Sequence, residues 1–168
     1  MTLQNDYSNP ITPPDELLQC LQRFHICLHP DWIPDCIDFI STDRPEYLNN
    51  NHHLTIEVMR HFMRSDFRDG LTRPSLPPNV TQLHNVEVKN LLLQILDIEE
   101  VGVSNYTLLD QLRNPDVKQG GKIKLSRSML KIELTDGYQI IEGMEYTPEL
   151  PLNLFTTPGS KVSLISYN

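Results

Sequence analysis

An acidic pair at positions 99 and 100 is the first group of side chains that could take part in acid–base catalysis. Glu99 and Glu100 directly follow an apolar run that predicts a strand, and paired carboxylates are common groups in acid–base catalysis. Adjacent strand residues point to opposite faces of a sheet, so the two carboxylates would not act on one substrate. We therefore expect solvated surface charge here.

A second candidate site lies between positions 52 and 61, where histidines accompany a glutamate. Its members are His52, His53, Glu57 and His61. Glu57 and His61 are four residues apart, which puts both on one helical face with side-chain types that bind zinc. No cysteine pair at ligand spacing accompanies them, and an exposed polar helix face accounts for them without a metal. We expect no metal and no cofactor.

The cysteines fit buried thiols, and the absence of known catalytic motifs in the sequence argues against an enzyme. Cys20, Cys27 and Cys36 are odd in number and lie in apolar segments of helical pattern, which favours buried thiols in a reducing compartment. The sequence has no nucleophile elbow, phosphate-binding glycine loop or H-E-x-x-H motif, the patterns that bring catalytic groups together. We expect a protein that is not an enzyme.

Composition limits the size class and the partners. A chain of 168 residues with 39% hydrophobic content has room for one ordinary domain, or for a small helical domain beside a small β domain. The net charge of -8 and the pI of about 5.1 disfavour sequence-independent binding to phosphates, so DNA contact should be weak or indirect. The sequence has no long apolar run and no signal peptide, so we expect a soluble intracellular protein without a membrane partner.

Three apolar stripes with helical spacing predict three helices in the first half of the chain. They are Leu17, Leu21, Phe24 and Leu28; Trp32, Ile33, Ile37 and Ile40; and Ile56, Met59, Phe62 and Met63. A proline-rich stretch over 74–78 then ends the helical pattern. We predict a disordered N-terminus over 1–14 and a helical lead-in domain over 15–72.

From about Leu83 the pattern changes to alternating or continuously apolar segments, which are typical of strands. The strand candidates span 91–98, 129–134, 138–146 and 161–167. Asp136-Gly137, between the second and the third, predicts a two-residue hairpin turn. Four strands with a long connection after the first suggest an OB-fold over 81–168. The expected fold class is α+β, an N-terminal three-helix bundle followed by an OB-fold β-barrel.

The long connection after the first strand carries bulky side chains that a small barrel need not bury. Tyr106, Leu109, Leu112 and Arg113 are candidates for a partner-binding site, because exposed apolar groups often mark partner sites. The alternative is a short capping helix in which Leu108, Leu109 and Leu112 pack back onto the barrel. The pattern fits both interpretations.

Three cations flank the predicted strands. Arg127, Lys131 and Lys161 have the charge to meet an acidic partner or phosphates, or they are ordinary surface charge. An OB-fold that binds single-stranded nucleic acid is therefore an alternative function, and it would need stacked aromatic side chains in a basic groove. Few strand aromatics and the acidic net charge disfavour it.

Several short motifs resemble those of a known family in order and spacing. The strand half contributes SRSML at 126–130, LTDG at 134–137, GMEY at 143–146 and PGSK at 158–161, and the helical half contributes WIPDCI at 32–37 and FMRSDFRD at 62–69. Together they resemble the amino-terminal region of the RecQ-mediated genome instability protein 1 family. The resemblance runs from about Glu16 to the end of the chain.

The resemblance implies a scaffold that binds topoisomerase III, a type IA enzyme, and modulates it within a RecQ-type helicase complex. That complex dissolves double Holliday junctions in DNA repair and recombination, which implies a nuclear location and no active site or small-molecule ligand in the scaffold. In the family the long loop reaches toward the topoisomerase gate, and the PGSK turn lies on the topoisomerase-facing side. The implied topoisomerase-binding residues are Tyr106, Leu109, Leu112, Arg113 and Lys161.

Two departures from the family pattern accompany the resemblance. The loop over 114–124 is shorter than in the vertebrate members, which predicts a weaker effect on the gate. The chain ends at Asn168, before the strand that normally closes the barrel, so we expect an incomplete barrel with a free edge, marginal stability and only indirect contact with the helicase. A related tudor-domain scaffold that binds the other topoisomerase III is the nearest alternative.

Overall fold

The computed structural model describes residues 13–84, 90–114, 125–146 and 151–165. Helices come first and an antiparallel sheet follows, so the predicted α+β class is confirmed. The predicted disorder over 1–14 falls, except for its last two positions, outside the described residues. None of the helices in the described ranges is long and apolar enough to cross a lipid bilayer.

The helical half contains the three predicted helices and some shorter ones. These are α1 (Asp15–Arg23), α2 (Trp32–Asp43), α3 (Asn51–Arg64) and α4 (Phe67–Gly70), with 3-10 helices at Pro45–Asn49 and Val80–Gln82. Asn50 caps α3 by accepting the backbone N–H of His52 and His53. Asp66 caps α4 by accepting the N–H of Arg68. Short polar side chains are favoured at these positions because the first N–H groups of a helix have no partner within it.

Helix α1 is shorter than its apolar stripe predicts. Leu17 and Leu21 are buried in its inner face, but the helix ends well before Leu28. His25 has a positive φ of 56°, and this conformation interrupts a right-handed helix. Leu28 instead forms an isolated bridge with Leu71, which brings the chain beyond α1 next to the end of α4.

Helix α3 buries a different stripe from the predicted one. Leu54, Val58 and Phe62 are buried in the helical core, whereas Ile56 and Met63 are exposed. The two possible stripes share Phe62, so spacing alone did not separate them. The buried stripe is the one that faces α1 and α2, and the prediction was wrong for Ile56 and Met63.

The strand half forms a four-stranded antiparallel sheet with the order β3-β2-β1-β4. Its elements are β1 (Leu91–Glu100), α5 (Asn105–Arg113), β2 (Leu130–Thr135), β3 (Ile140–Met144) and β4 (Lys161–Leu164). Each strand overlaps a predicted one. Within the described residues β3 and β4 are the outer strands and do not pair with each other, so this part of the barrel is open.

A β-bulge divides β1 into two halves. The pairing with β2 shifts between Ile95 and Asp97, and an extra residue of this kind changes which face the following side chains occupy. Before the bulge Leu92 packs into the helical core, so this half is covered on both sides. Beyond the bulge Ile98 packs against the barrel core, and Asp97 and Glu99 face solvent on the outer side.

The hairpin between β2 and β3 differs from the predicted two-residue turn. β2 ends at Thr135 and β3 begins at Ile140, so the loop holds four residues. Gly137 has the expected positive φ of 91°. Asp136, however, is completely buried, because its carboxylate accepts several backbone N–H groups and so turns inward instead of occupying an exposed turn position.

Polar contacts join the helical half to the sheet. The Tyr138 hydroxyl donates to the carbonyl of Leu71 at 2.8 Å, and the N–H of Phe67 donates to the side-chain oxygen of Gln94 at 3.1 Å. Phe67 lies in the helical core together with the β1 residue Leu92. The division into a domain over 15–72 and another over 81–168 stays a prediction.

Candidate partner-binding surface

The candidate surface is built on α5, which follows β1 after a short turn. Ser104 begins the helix by accepting the N–H of Thr107 with its hydroxyl oxygen at 3.2 Å. The hydroxyls of Ser104 and Thr107 also lie 2.8 Å apart. A capped helix therefore occupies the start of the connection that the sequence predicted to be functional.

One side of α5 presents apolar groups to solvent. Tyr106 is 80% exposed, Leu109 is 52% exposed and Leu112 is 46% exposed, and Arg113 is exposed as well. Residues three apart lie on neighbouring parts of a helix surface, so the first three form one stripe. We call Tyr106, Leu109, Leu112 and Arg113 the α5 face. The capping-helix interpretation was right about the helix and wrong about Leu109 and Leu112, since of its three leucines only Leu108 is half-buried.

Glu100 lies at the base of this helix and is not solvated. Its side chain is 4% exposed, and its carboxylate accepts the N–H groups of Gly102 at 2.8 Å, Met129 at 3.0 Å and Ser128 at 2.9 Å. Burial alone would raise the pKa of Glu100, but these backbone donors outweigh burial and the pKa is lowered. The expected solvated charge is wrong for Glu100, although its neighbour Glu99 is exposed as predicted.

A second polar contact lies on the inner side of α5. The Gln111 amide nitrogen donates to the Ser126 hydroxyl at 2.5 Å, and its oxygen accepts the N–H of Ser126 at 2.7 Å. The segment before β2 is thus bonded to both the base and the last turn of α5. Sequence reasoning missed the contacts of Glu100 and Gln111 because most of their partners lie far along the chain. The local signal was an acidic residue at a strand end, two positions before Gly102.

Lys161 lies elsewhere and is engaged within the chain. Its ammonium donates to the carbonyls of Ser65 at 2.6 Å and Gly159 at 2.8 Å, and it lies 4.8 Å from the centre of the Phe67 ring. Burial lowers the pKa of Lys161, against an opposing contribution from Asp66. This lysine therefore joins β4 to the turn before α4.

The structure does not bring Lys161 together with the α5 face. Lys161 pairs with Gln94 in the sheet, whereas α5 follows Glu100 at the far end of the same strand. At about 3.3 Å of rise per strand residue the two positions are roughly 20 Å apart. The predicted site residues thus form two separate regions.

The other predicted cations have partners within the chain. Arg127 pairs with Glu145 and donates to the carbonyl of Leu152 at 2.7 Å. Lys131 pairs with Glu142 at 2.7 Å, and this hydrogen bond raises the pKa of Lys131. These cations therefore do not form a basic groove on the strands that the structure describes.

The outer face of the sheet is acidic instead. Register places Glu99 opposite Lys131, and Asp97 opposite Glu133, while Glu133 also faces Glu142 on β3. Lys131 is thus surrounded by carboxylates on this face, since Glu99 and Glu133 also contribute to its raised pKa. A surface of this sign repels phosphates.

The histidine-rich segment does not form a metal site in the described residues. No group of three or more histidine, cysteine, aspartate or glutamate side chains there is placed to hold a metal ion. Glu57 was predicted on an exposed face, but it is buried. It pairs with Arg60, and its carboxylate lies 3.8 Å from the His61 ring. Glu57 lies on the buried side of α3 because it follows the buried Leu54 by three residues.

The cysteines differ in exposure. Cys36 is buried as predicted, Cys27 is half-buried, and Cys20 is exposed, so the prediction of buried thiols was wrong for Cys20. The burial of Cys36, followed by the nearby charge of Glu57, raises its pKa to about 11. A thiol with such a pKa is protonated and unreactive at neutral pH.

Comparisons with known proteins agree with the motifs. The family described as "RMI1, N-terminal OB-fold domain" matches residues 76–168. RecQ-mediated genome instability protein 1 of Danio rerio is 27% identical over 155 residues, covering 85% of this chain and 30% of that protein. The Mus musculus protein is 26% identical over 155 residues, covering 84% and 25%, and the Arabidopsis thaliana protein is 26% identical over 171 residues, covering 96% and 23%. The chain thus spans less than a third of the length of these relatives.

Proposed function

The chain belongs to the RecQ-mediated genome instability protein 1 family, and from this membership we propose that it is a non-enzymatic scaffold that binds and modulates topoisomerase III. The binding would serve a RecQ helicase complex that dissolves double Holliday junctions during DNA repair and recombination in the nucleus. The names of the relatives, which refer to RecQ and to genome instability, support this genome-stability role.

The observation that carries the proposal is the α5 face. Tyr106 is 80% exposed, although tyrosine is a residue of intermediate burial. Leu109 and Leu112 continue the stripe over two turns, and Arg113 adds a charge at its end. Tyrosine and arginine are enriched among the residues that dominate binding energy in protein interfaces. The face therefore suits a partner with an apolar groove and an acidic rim.

Modulation of topoisomerase III needs more than attachment. The α5 face would change the balance between the open and closed gate only if it contacts one of these states better than the other. Residues 115–124 continue the same connection and lie outside the described residues.

Single-stranded nucleic-acid binding is less well supported by the charges on the sheet. Asp97, Glu99, Glu133 and Glu142 line the outer face, where an OB-fold usually binds oligonucleotides on its second and third strands. Stacked bases would bring phosphates close to these carboxylates, and like charges repel.

The test is a titration of purified topoisomerase III with the chain by biolayer interferometry. Leu109→Ala/Leu112→Ala should weaken binding by about tenfold or more, as expected for central interface anchors. The control is Ile56→Ala/Met63→Ala on α3, because these side chains are exposed to a similar degree, 43% and 39%. Equal losses in both double variants, or no binding by the unaltered chain, would contradict the proposal.

Lys161 is the second proposed contact, and it differs in kind from the α5 face. Its ammonium already bonds to Ser65 and Gly159, so a topoisomerase carboxylate would have to replace a contact that joins β4 to α4. The effect of Lys161 on binding is therefore expected to accompany an effect on stability.

A further inference from the structure

We propose that Glu100 and Gln111 are positioning residues that fix the direction of α5, so that the α5 face meets its partner as an already oriented helix. The partner side of this inference rests on the proposed function. The orientation itself is a property of the free chain and can be tested without a partner.

The first support lies at the base of the helix. The Glu100 carboxylate accepts N–H groups from both sides of the long connection, Gly102 before α5 and Ser128 and Met129 after it. The N–H of Val101 also donates to the carbonyl of Met129 at 2.9 Å. The two ends of the connection are therefore joined through one buried anion, and hydrogen bonds to ionised acceptors are the stronger kind.

Close approach at the same point leaves no room for a side chain. A Cβ added at Gly102 would lie 2.7 Å from both the Cβ and the Oγ of Ser128. The turn into α5 can approach the outgoing segment this closely only because position 102 has no side chain.

The second support lies near the end of the helix. Gln111 uses both ends of its amide, donating with nitrogen and accepting with oxygen, and both bonds go to Ser126. Two bonds at one residue, added to the bonds at Glu100, restrain rotation of α5 about its base.

The restrained side and the exposed side of α5 are different. Leu108 and Gln111 are three residues apart, which places them on one side of the helix, and both are half-buried. Tyr106 and Leu109 lie farther round the helix, and Leu112, four residues after Leu108, borders the restrained side but is exposed. Removing the restraint therefore leaves the α5 face itself unchanged.

A helix that is oriented before it meets its partner should bind more tightly. A binding segment that is already ordered loses less conformational freedom on association, so its contacts contribute more to the observed affinity. Loss of the restraint should weaken binding through the direction of α5 and not through a lost contact.

The first experiment needs no partner. Gln111→Ala should speed amide hydrogen exchange at the end of α5, at Leu112 and Arg113, by roughly threefold to tenfold, the effect of one or two lost hydrogen bonds. The urea midpoint of the chain should stay unchanged. The control is Asn114→Ala, which removes a side-chain bond from the residue after the helix to Asp110 but none to Ser126, and it should change the exchange of Leu112 and Arg113 less than Gln111→Ala does. Unchanged exchange in Gln111→Ala would overturn the positioning role.

The second experiment measures binding to purified topoisomerase III. Gln111→Ala should weaken binding by about threefold to tenfold, and it should have no further effect when Leu109 and Leu112 are already alanine, because it acts through them. Full additivity would overturn the inference. Glu100→Gln should have a larger effect in both experiments, and Gln111→Ala decides the matter if that buried variant fails to fold. Faster exchange without any binding by the unaltered chain would sustain the positioning role and reject the proposed function.

Discussion

The carboxylate of Asp136 accepts the backbone N–H of Leu76 at 2.8 Å across sixty residues of sequence. It also accepts the N–H groups of Ser75, Tyr138 and Gln139 at 2.8–3.0 Å. One side chain therefore holds both the β2–β3 hairpin and the proline-rich segment that leaves the helical half. The hairpin tip is thus part of the junction between the two halves of the chain.

Asp136→Asn should destabilise the protein by about 2–3 kcal/mol, because an amide offers one acceptor oxygen and turns a donor toward N–H groups that then lack a partner. Urea unfolding followed by circular dichroism measures the change. Asp97→Asn, on the exposed outer face, is the control and should stay within about 0.5 kcal/mol of the unaltered chain. Equal midpoints for the two variants would contradict the role of Asp136.

Alanine substitutions at two glycines distinguish the cost of backbone strain from the cost of steric overlap. Gly137 and Gly159 have nearly equal φ, 91° and 89°. A Cβ at Gly137 would lie 2.9 Å from the carbonyl oxygen of Phe67, whereas nothing lies within 4 Å of one at Gly159. Gly159→Ala should therefore cost only the conformational penalty of about 1–2 kcal/mol. Gly137→Ala should cost clearly more when the two variants are compared by urea unfolding, and a smaller cost than for Gly159→Ala would refute the close packing of the hairpin on α4.

Lys161→Ala should destabilise the chain by about 1–2 kcal/mol, since it removes two hydrogen bonds and the ammonium over the Phe67 ring. Lys161→Met keeps the aliphatic part of the side chain and should recover some of this loss. Thermal melting and topoisomerase III binding are measured on both. A loss of binding without a loss of stability would identify Lys161 as a direct contact only.

Acid should weaken the start of α4 through Asp66. Hydrogen bonds from the Arg68 side chain, and then from its backbone N–H, lower the pKa of Asp66 from 3.8 to about 2. A lowered pKa means that the ionised form favours the folded state. Its contribution is complete above about pH 4 and is lost as the pH falls toward 2. Asp66→Asn should thus be less acid-sensitive over this range, and urea unfolding at several pH values checks it, with Asp38→Asn on the exposed side of α2 as control.

Thiol labelling should follow burial. Cys20 should react with a chromogenic disulfide within minutes at pH 8, while Cys36, buried and with a pKa of about 11, should react only after unfolding. Peptide mapping of the labelled chain identifies the order. Early labelling of Cys36 in the native chain would mean that α2 opens locally.

The sequence predicted the positions of helices and strands better than it predicted which side of each helix is buried. The strands were predictable because continuous or alternating apolar runs bounded by turn residues have few other solutions, as around Leu91 and Ile132. The buried side of α3 was not, since two stripes share Phe62 and only packing against α1 and α2 selects Leu54 and Val58. Spacing describes a single element, whereas burial depends on its neighbours.

The candidate site was predictable in part for a similar reason. The bulk of Tyr106, Leu109 and Leu112 identified an unusual connection, and the helix there was one of the two interpretations. The burial of Glu100 and the inward direction of Lys161 depend on carbonyl and N–H groups of residues far along the chain, such as Ser128 and Ser65. No local pattern reports such partners.

Because of the bulge in β1, the positions that face the barrel core change from odd-numbered to even-numbered along the strand. Up to Ile95 the odd-numbered positions face the barrel core, and from Ile98 onward the even-numbered positions do. A charged side chain should therefore be tolerated at no position before Leu96, because the odd positions face the barrel core and Leu92 lies in the helical core. After Leu96 it should be tolerated at the odd positions. Deleting Leu96 would remove the extra residue and leave Ile95, Asp97 and Ile98 on the faces that they occupy now. β1 can thus lose the residue at the bulge and keep both cores, whereas a one-residue insertion or deletion elsewhere in the strand would move part of it to the opposite face.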